Sequence, residues 1–317
     1  MPASNSRTPR LDRPIRLGTR RSPLAMAQAS EARARLCAAH GWDESAVDLM
    51  PVIASGDRIQ DRPLAEIGGK ALWTRELDIW LEEGWIDGAV HSMKDVETIR
   101  PEGFSIVAIL EREDRADRLL GAETVVALPQ GATIGTSAPR RAAQLLHRRP
   151  DCRVVTFRGN VATRMAKLAA GEVDATFLAA AGLNRLGEDA VGTRLDPEDW
   201  LPAPGQAAIG IECRAGDETM QDIFAAIDHR ASHDEVMAER ALLAGLGGSC
   251  HSPVAALSRI EGEELVLRAA IYSAEGAIRI EDEARMARAD REGPRALAET
   301  LLKEAPEQVR SLFEGAA

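Results

Sequence analysis

Through its first half the chain alternates short apolar runs with longer stretches in which apolar side chains recur every three or four positions. "IRLGT" (15–19) reads as a strand and "SPLAMAQASEARARLCAAHG" (22–41) as the helix after it. Ser22 is a natural N-cap there, Pro23 suits the first helical position, and Gly41 closes the helix. "VDLMPVIA" (47–54) predicts a second strand. "ALWTRELDIWLEEG" (71–84) predicts a helix with Leu72, Trp73, Leu77, Trp80 and Leu81 on its apolar side. Short strands follow at "GAVHS" (88–92) and "FSIVAIL" (104–110), and the charged run "EREDRADR" (111–118) then reads as a hinge or linker.

After that run the plan restarts. "TIGTSAPRRAAQLLHRR" (133–149) echoes "RLGTRRSPLAMAQ" with an offset of one residue: strand, Gly-Thr, turn, proline, helix, glutamine. "RVVTF", "NVATRMAKLAAG" and "DATFLAA" continue as strand, helix, strand, and "LPAPGQAAIGIECR" (201–214) is a Pro/Gly-rich connection running into a strand. From about residue 231 the character changes. A helix over "HDEVMAERALLAGL" precedes strands at "LVLRAAIYS" and "AIRIEDEARM", then a final helix near 293–313. The expected fold is therefore α/β: two similar α/β domains plus a small C-terminal α+β domain.

A chain of 317 residues is long enough for two or three such cores. Net charge is −11, which opposes a general nucleic-acid binder, as does the scarcity of aromatics for base stacking. The charge is uneven. Between Gly131 and Lys167 lie Arg140, Arg141, Arg148, Arg149, Arg153, Arg158, Arg164 and Lys167 against Asp151 alone, eight minus one or +7, as expected of a basic cleft for a small polyanion. Cys37, Cys152, Cys213 and Cys250 have neither CxxC nor zinc-ligand spacing, so no metal site and no disulfide framework is expected. No run is apolar enough to span a membrane, and the N-terminal "MPASNSRTPRLDRP" lacks the apolar core of a secretory signal and reads as a short disordered tail.

The candidate chemistry lies at turns. Each strand-to-helix junction offers exposed N–H groups beside arginines: Arg20 with Ser22, Arg140 with Arg141, and Arg158 with Arg164 around "RGNVATR". An ordinary capped helix with solvated arginines is the competing reading at any one of them. "GGK" (68–70) lacks P-loop spacing and leaves a Gly-rich loop with one cation, Lys70. "VHSMKDVE" (90–97) packs His91, Ser92, Lys94 and Asp95 together. No nucleophile elbow surrounds Ser92, Asp95 favours a charged Lys94, and Asp95 itself suits acid/base work or cation stabilisation. A plain strand-end loop competes evenly with these. "GLGGSCHSP" (245–253) sets the Cys250 thiol in a Gly/Ser-rich turn, where a reactive thiol and an inert one are equally favoured.

Taken in order, "RLGTRRSPLA", "PLAEIGGKALWTRELD", "AVHSMKDV", "GTSAPRR", "FRGNVATR", "AAAGLNRLG", "LPAPGQAAIGIECR" and "GGSCHSP" span nearly the whole chain, which resembles the porphobilinogen deaminase (hydroxymethylbilane synthase) family. The resemblance implies two periplasmic-binding-protein-like domains, 14–110 with 208–228 and 111–207, and a cysteine-bearing third domain, 229–317. It implies a dipyrromethane cofactor joined by a thioether to Cys250. Four porphobilinogens are then condensed head to tail with loss of ammonia, and water releases hydroxymethylbilane. Asp95 matches the catalytic aspartate. Arg20, Ser22, Lys70, Ser92, Lys94, Thr136, Arg140, Arg141, Arg158, Asn160, Arg164, Arg185 and Gln206 match positions that hold the acetates and propionates of cofactor and substrate. A cytoplasmic monomer with a small-molecule substrate, and no nucleic-acid or membrane partner, is implied as well.

Four positions depart from the family pattern: Glu66 for a lysine, Ala138–Pro139 for Ser–Leu, Glu97 for a proline, and Ser249 for a glycine. Each bears on substrate contacts more than on the chemistry. The rival from another class is a binding protein for small carboxylates, which would share the two-domain plan but has no need of Cys250 in its turn.

Overall fold

The computed structural model describes residues 12–52 and 74–313. β1 (Ile15–Arg20) buries Ile15 and Leu17, and α1 (Pro23–His40) follows. Ser22 Oγ accepts from Ala25 N at its start, and Gly41 closes it at φ 66°, where a side chain would be strained. Ala25, Ala29, Ala32 and Leu36 line its buried face at helical spacing. β2 (Val47–Val52), α2 (Arg75–Glu82), β3 (Gly88–Ser92) and β4 (Phe104–Ile109) come next, and much later β10 (Ile209–Arg214). These strands form one five-stranded sheet in the order β2-β1-β3-β10-β4. β1 runs parallel to β2 and β3, whereas β10 is antiparallel to both its neighbours.

The second sheet repeats that plan. β5 (Asp117–Leu120), β6 (Thr133–Gly135), β7 (Arg153–Val155), β8 (Ala175–Ala179) and β9 (Thr193–Arg194) pair in the order β7-β6-β8-β5-β9. β6 is parallel to β7 and β8, and β5 is antiparallel to β8 and β9. Its helices are α3 (Pro139–Arg148), α4 (Val161–Ala169) and α5 (Ala180–Arg185). The echo between the two junction strings thus reflects one topology used twice. In each sheet the antiparallel strand comes from a segment that crosses between the sheets.

After α6 (Glu218–Ala225), α7 (Arg230–Gly245) leads into an antiparallel sheet of β11 (Val254–Glu261), β12 (Glu264–Tyr272) and β13 (Arg279–Ala287). One face packs Leu265, Leu267, Ala269 and Ile271 against α7 and α8 (Gly293–Glu304). The other face sets Ala255, Leu257, Ala270 and Tyr272 on Ala143 and Leu201. The third unit therefore leans on the second through apolar contact.

Some boundaries differ from expectation. Asp117 and Arg118 open β5 instead of ending a linker, because Asp117 is drawn into a buried ion cluster. The last helix is two, α8 and α9 (Glu307–Arg310), since Pro306 carries no N–H to continue the ladder. The described part of the 71–84 helix begins at Thr74, and the end of the expected 47–54 strand lies outside the described residues.

Candidate active site

Two segments cross between the first two sheets, residues 110–116 and 201–208, and α7 pins both. Glu239, fully buried on α7, takes a bidentate contact from Arg112 (2.9 Å to each oxygen), a hydrogen bond from Gly205 N (2.6 Å) and another from Ser258 Oγ. Burial would raise the Glu239 pKa, but Arg112 outweighs it and the carboxyl is held below its ordinary value. Gly205 and Gly210 admit the catalytic-loop candidate: a Cβ on Gly205 would lie 3.0 Å from the Met93 carbonyl carbon, and one on Gly210 would overlap Met93 Sδ. The turn Met93–Asp95 therefore sits directly against the crossing strand.

That turn continues β3, which ends at Ser92. Beneath it lies a buried ion network. Arg100 donates to Glu212 (2.8 Å), Asp78 (2.6 Å) and Glu97 (2.7 Å), while His91 Nε2 lies 3.1 Å from Glu212. Burial would raise the Glu212 pKa, yet His91 and Arg100 bring it down to about 2. His91 is thus engaged with Glu212 in this network. Glu97 is engaged there too, through Arg100 and the Thr74 hydroxyl (2.8 Å), which explains how a carboxylate stands where relatives have proline.

Above the turn, charges converge on Asp95. Lys94 interacts electrostatically with Asp95, Arg141, Asp117 and Arg140, and Arg164 with Arg141, Asp95 and Arg158. Burial lowers the pKa of Lys94, with Asp95 opposing, and lowers that of Arg164 to about 10, with Arg141 adding. Lys94 has no hydrogen bond or ion pair among the described residues. Cys250 faces the same place. Its thiol is exposed, yet burial pushes its pKa up to about 12, with Asp95 and Glu97 adding. Lys94, Arg164 and Cys250 keep accessible surface while protein surrounds them, and each interacts electrostatically with Asp95.

The Cys250 turn is internally braced. Ser249 N donates to Ser252 Oγ (3.0 Å) and Ser249 Oγ accepts from His251 N (3.2 Å), so the departure at 249 holds the turn in place. Thr98 Oγ1 donates to Gly248 O (2.8 Å), joining this turn to the Asp95 segment.

The other sequence candidates divide. Arg140 and Arg141 are buried on Asp117 (2.8 and 2.7 Å), joined by Trp200 Nε1 (2.9 Å) and Gln206 Nε2 (3.0 Å). Burial alone would raise the Asp117 pKa; the two guanidinium groups outweigh it and hold the carboxyl well below the usual range. The expected +7 segment is accordingly not one basic face. Arg149 pairs with Asp151, Arg148 lies over Trp200, Lys167 sits over Phe157 and Arg153 donates to the Thr133 hydroxyl, so of this segment Arg164 is the cation that interacts with Asp95, with Arg141 and Arg158 near it. Arg185 spans the first two sheets from α5, pairing with Glu31 of α1 (3.1 Å) and donating to Ala207 O. Ala207 itself is held at φ 70°, the single non-glycine residue with positive φ among those described.

Ser22 and Asn160 act as N-caps, and the Thr136 hydroxyl accepts from Ala138 N (3.1 Å), serving the helix start that lacks a capping side chain at Ala138. Arg20 and Ser92 lie half-buried at the ends of β1 and β3. Lys70 and Glu66 lie outside the described residues. Sequence reasoning missed Glu31, Arg100, Asp117, Glu239 and Arg240, whose partners are far along the chain. Among the described residues no group of three or more His, Cys, Asp or Glu could hold a metal, and no helix is long and apolar enough to cross a membrane.

Comparison with known proteins matches the family model "Porphobilinogen deaminase, dipyromethane cofactor binding domain" to residues 15–222. "Porphobilinogen deaminase, C-terminal domain" matches residues 233–306. A porphobilinogen deaminase of Sphingopyxis alaskensis is 54% identical over 308 residues, 95% of this chain and 97% of the relative. One of Paracoccus denitrificans is 47% identical over 300 residues, 94% of each. Among solved structures, a Bordetella pertussis BvgS VFT2 domain covers 72% of this chain and 91% of its own at 18% identity and a TM-score of 0.40, too distant to carry an argument.

Proposed function

The chain belongs to the porphobilinogen deaminase family, and we propose that Asp95, Lys94, Arg164 and Cys250 wall a cleft in which it does that family's work. The activity is that of a hydroxymethylbilane synthase in tetrapyrrole biosynthesis: porphobilinogen units are condensed with loss of ammonia, and the chain carries a dipyrromethane cofactor. The residues of the cleft fit that group. A thiol with open surface faces a carboxylate, and an unpaired ammonium, Lys94, shares the recess. When bound, the dipyrromethane supplies an electron-rich pyrrole end for chain growth.

In this reading Cys250 holds the cofactor by a thioether. Asp95 accepts hydrogen bonds from pyrrole N–H groups, stabilises the cation left when ammonia departs from porphobilinogen, and takes up the proton released as the new carbon–carbon bond forms. Lys94, Arg164, Arg158 and Arg20 bind acetate and propionate side chains, with Ser92 and Thr136 as neutral donors and Lys70 as a further cation. Arg140, Arg141 and Gln206, committed to Asp117, contribute positive field and a fixed floor. Ser22 and Asn160 fix helix starts at which carboxylates meet backbone N–H groups. Arg185 becomes available to a carboxylate when Glu31 releases it.

The division into 14–110 with 208–228, 111–207 and 229–317, a cytoplasmic location and a monomeric state belong to the same reading. The observation that carries it is the tie between the two turns, Thr98 Oγ1 to Gly248 O at 2.8 Å, together with the electrostatic interaction of Asp95 with Cys250. Intact-mass measurement of the purified protein is expected to show an adduct of two linked pyrroles that is absent from Cys250→Ala. An unmodified, fully active wild-type protein would refute the attachment.

A further inference from the structure

Arg240 projects from α7 of the third unit into the segment that follows Asp95. Its Nη2 donates to the carbonyls of Glu97 (2.7 Å) and Thr98 (3.1 Å), and its Nη1 to that of Val96 (3.5 Å). Among the described residues no carboxylate pairs with it. Burial, with nearby Arg100 adding, lowers its pKa to about 10. A buried guanidinium that forgoes an ion pair is costly to retain for packing alone. What it gains is a hold on three successive carbonyls, which leaves the backbone beyond Asp95 no freedom to drift.

The next residue completes the connection. Thr98 Oγ1 donates to Gly248 O at 2.8 Å, and Gly248 N is itself tied to Leu243 O at the end of α7. Cys250 is two residues further on. Thus α7 grips the Asp95 segment at one point and the Cys250 turn at another, and Thr98 bridges the two. We propose that Arg240 and Thr98 form a clamp that fixes the separation and orientation of Asp95 and Cys250, acting as positioning residues for each condensation. This rests on the assignment of Asp95 as the catalytic carboxylate and Cys250 as the attachment point. A synthesis tethered at one sulfur and repeated at one carboxylate needs those two points held in register while the surroundings accommodate a longer product.

Thr98→Val keeps the shape and removes only the donor, and Thr98→Ser restores it. In Thr98→Val, kcat is expected to fall by about five- to fiftyfold with KM within about twofold, since a misplaced reacting group loses transition-state stabilisation without losing ground-state binding. Intact mass should still show the adduct, and Tm should stay within about 2 °C of wild type. Amide exchange should quicken in residues 247–251, and Thr98→Ser should recover both kcat and protection. Arg240→Lys, which keeps the charge but cannot span three carbonyls, should show the same split if Thr98→Val fails to fold. A Thr98→Val protein with wild-type kcat, whatever its Tm, overturns the clamp. Asp95→Asn serves as the control: if that variant turned over normally, the underlying assignment would fall instead, independently of Thr98.

Discussion

An exposed thiol is ordinarily easy to ionise, and Cys250 is not. Its pKa is pushed up to about 12 by burial, with Asp95 and Glu97 adding. Little of Cys250 is thiolate at pH 7, and the ionised share grows about tenfold per pH unit. In the proposed reading, attachment through this sulfur benefits from a nearby base, a role that falls to Asp95 because Glu97 is paired with Arg100. In protein produced without a porphobilinogen supply, iodoacetamide labelling of Cys250 should be slow at pH 7 and rise about tenfold per unit through pH 9. A plateau reached below pH 9 would contradict the raised pKa. The chemistry of Asp95 and Cys250 alone left a plain loop and an inert thiol as equal readings, and it was the resemblance of their strings to a family that singled them out. The states of Arg140 and Glu97 were not legible in the sequence. Each depends on a partner, Asp117 or Arg100, whose position only the fold supplies.

The helix starts at Ser22 and Asn160 follow from local capping rules, as does the stop at Gly41. What local rules could not supply is the end of β5, where one aspartate receives two arginines, a tryptophan N–H and a glutamine amide. This cluster joins β5 to α3 and to the crossing segment. Asp117→Asn would leave two buried guanidinium groups without a counter-charge, at a cost of about 3–5 kcal/mol. For a chain this size, roughly a 10 °C fall in Tm is expected, read by calorimetry. A change of under about 2 °C would show that the cluster is not the anchor described.

Among the described residues, four buried carboxylates have pKa values below their unfolded ones: Asp87, Asp117, Glu212 and Glu239. Burial opposes this in each, and the facing His91 and arginines prevail. Such groups contribute stability that is fully present above their unfolded pKa, about 4, and lost as pH falls through the folded values, about 2 for Glu212. Denaturant midpoints should thus be flat from pH 7 to about 5 and drop steadily from about 4.5 downward. A midpoint unchanged between pH 5 and 3 would contradict the ion networks. The repeated sheet plan was partly legible, through the two similar junction strings. The place of β10 inside the first sheet was not, because strand order depends on pairing across the intervening unit.

That placement bears on how the chain comes off the ribosome. β10, the strand between β3 and β4, is made only after the entire second sheet. At about 5–20 residues per second, the first sheet waits several seconds for its missing member while the second can already close. The unit that begins first finishes later, and nascent chains stopped before residue 209 would leave one edge of β3 open and β4 without its sheet partner, both exposed to chaperones.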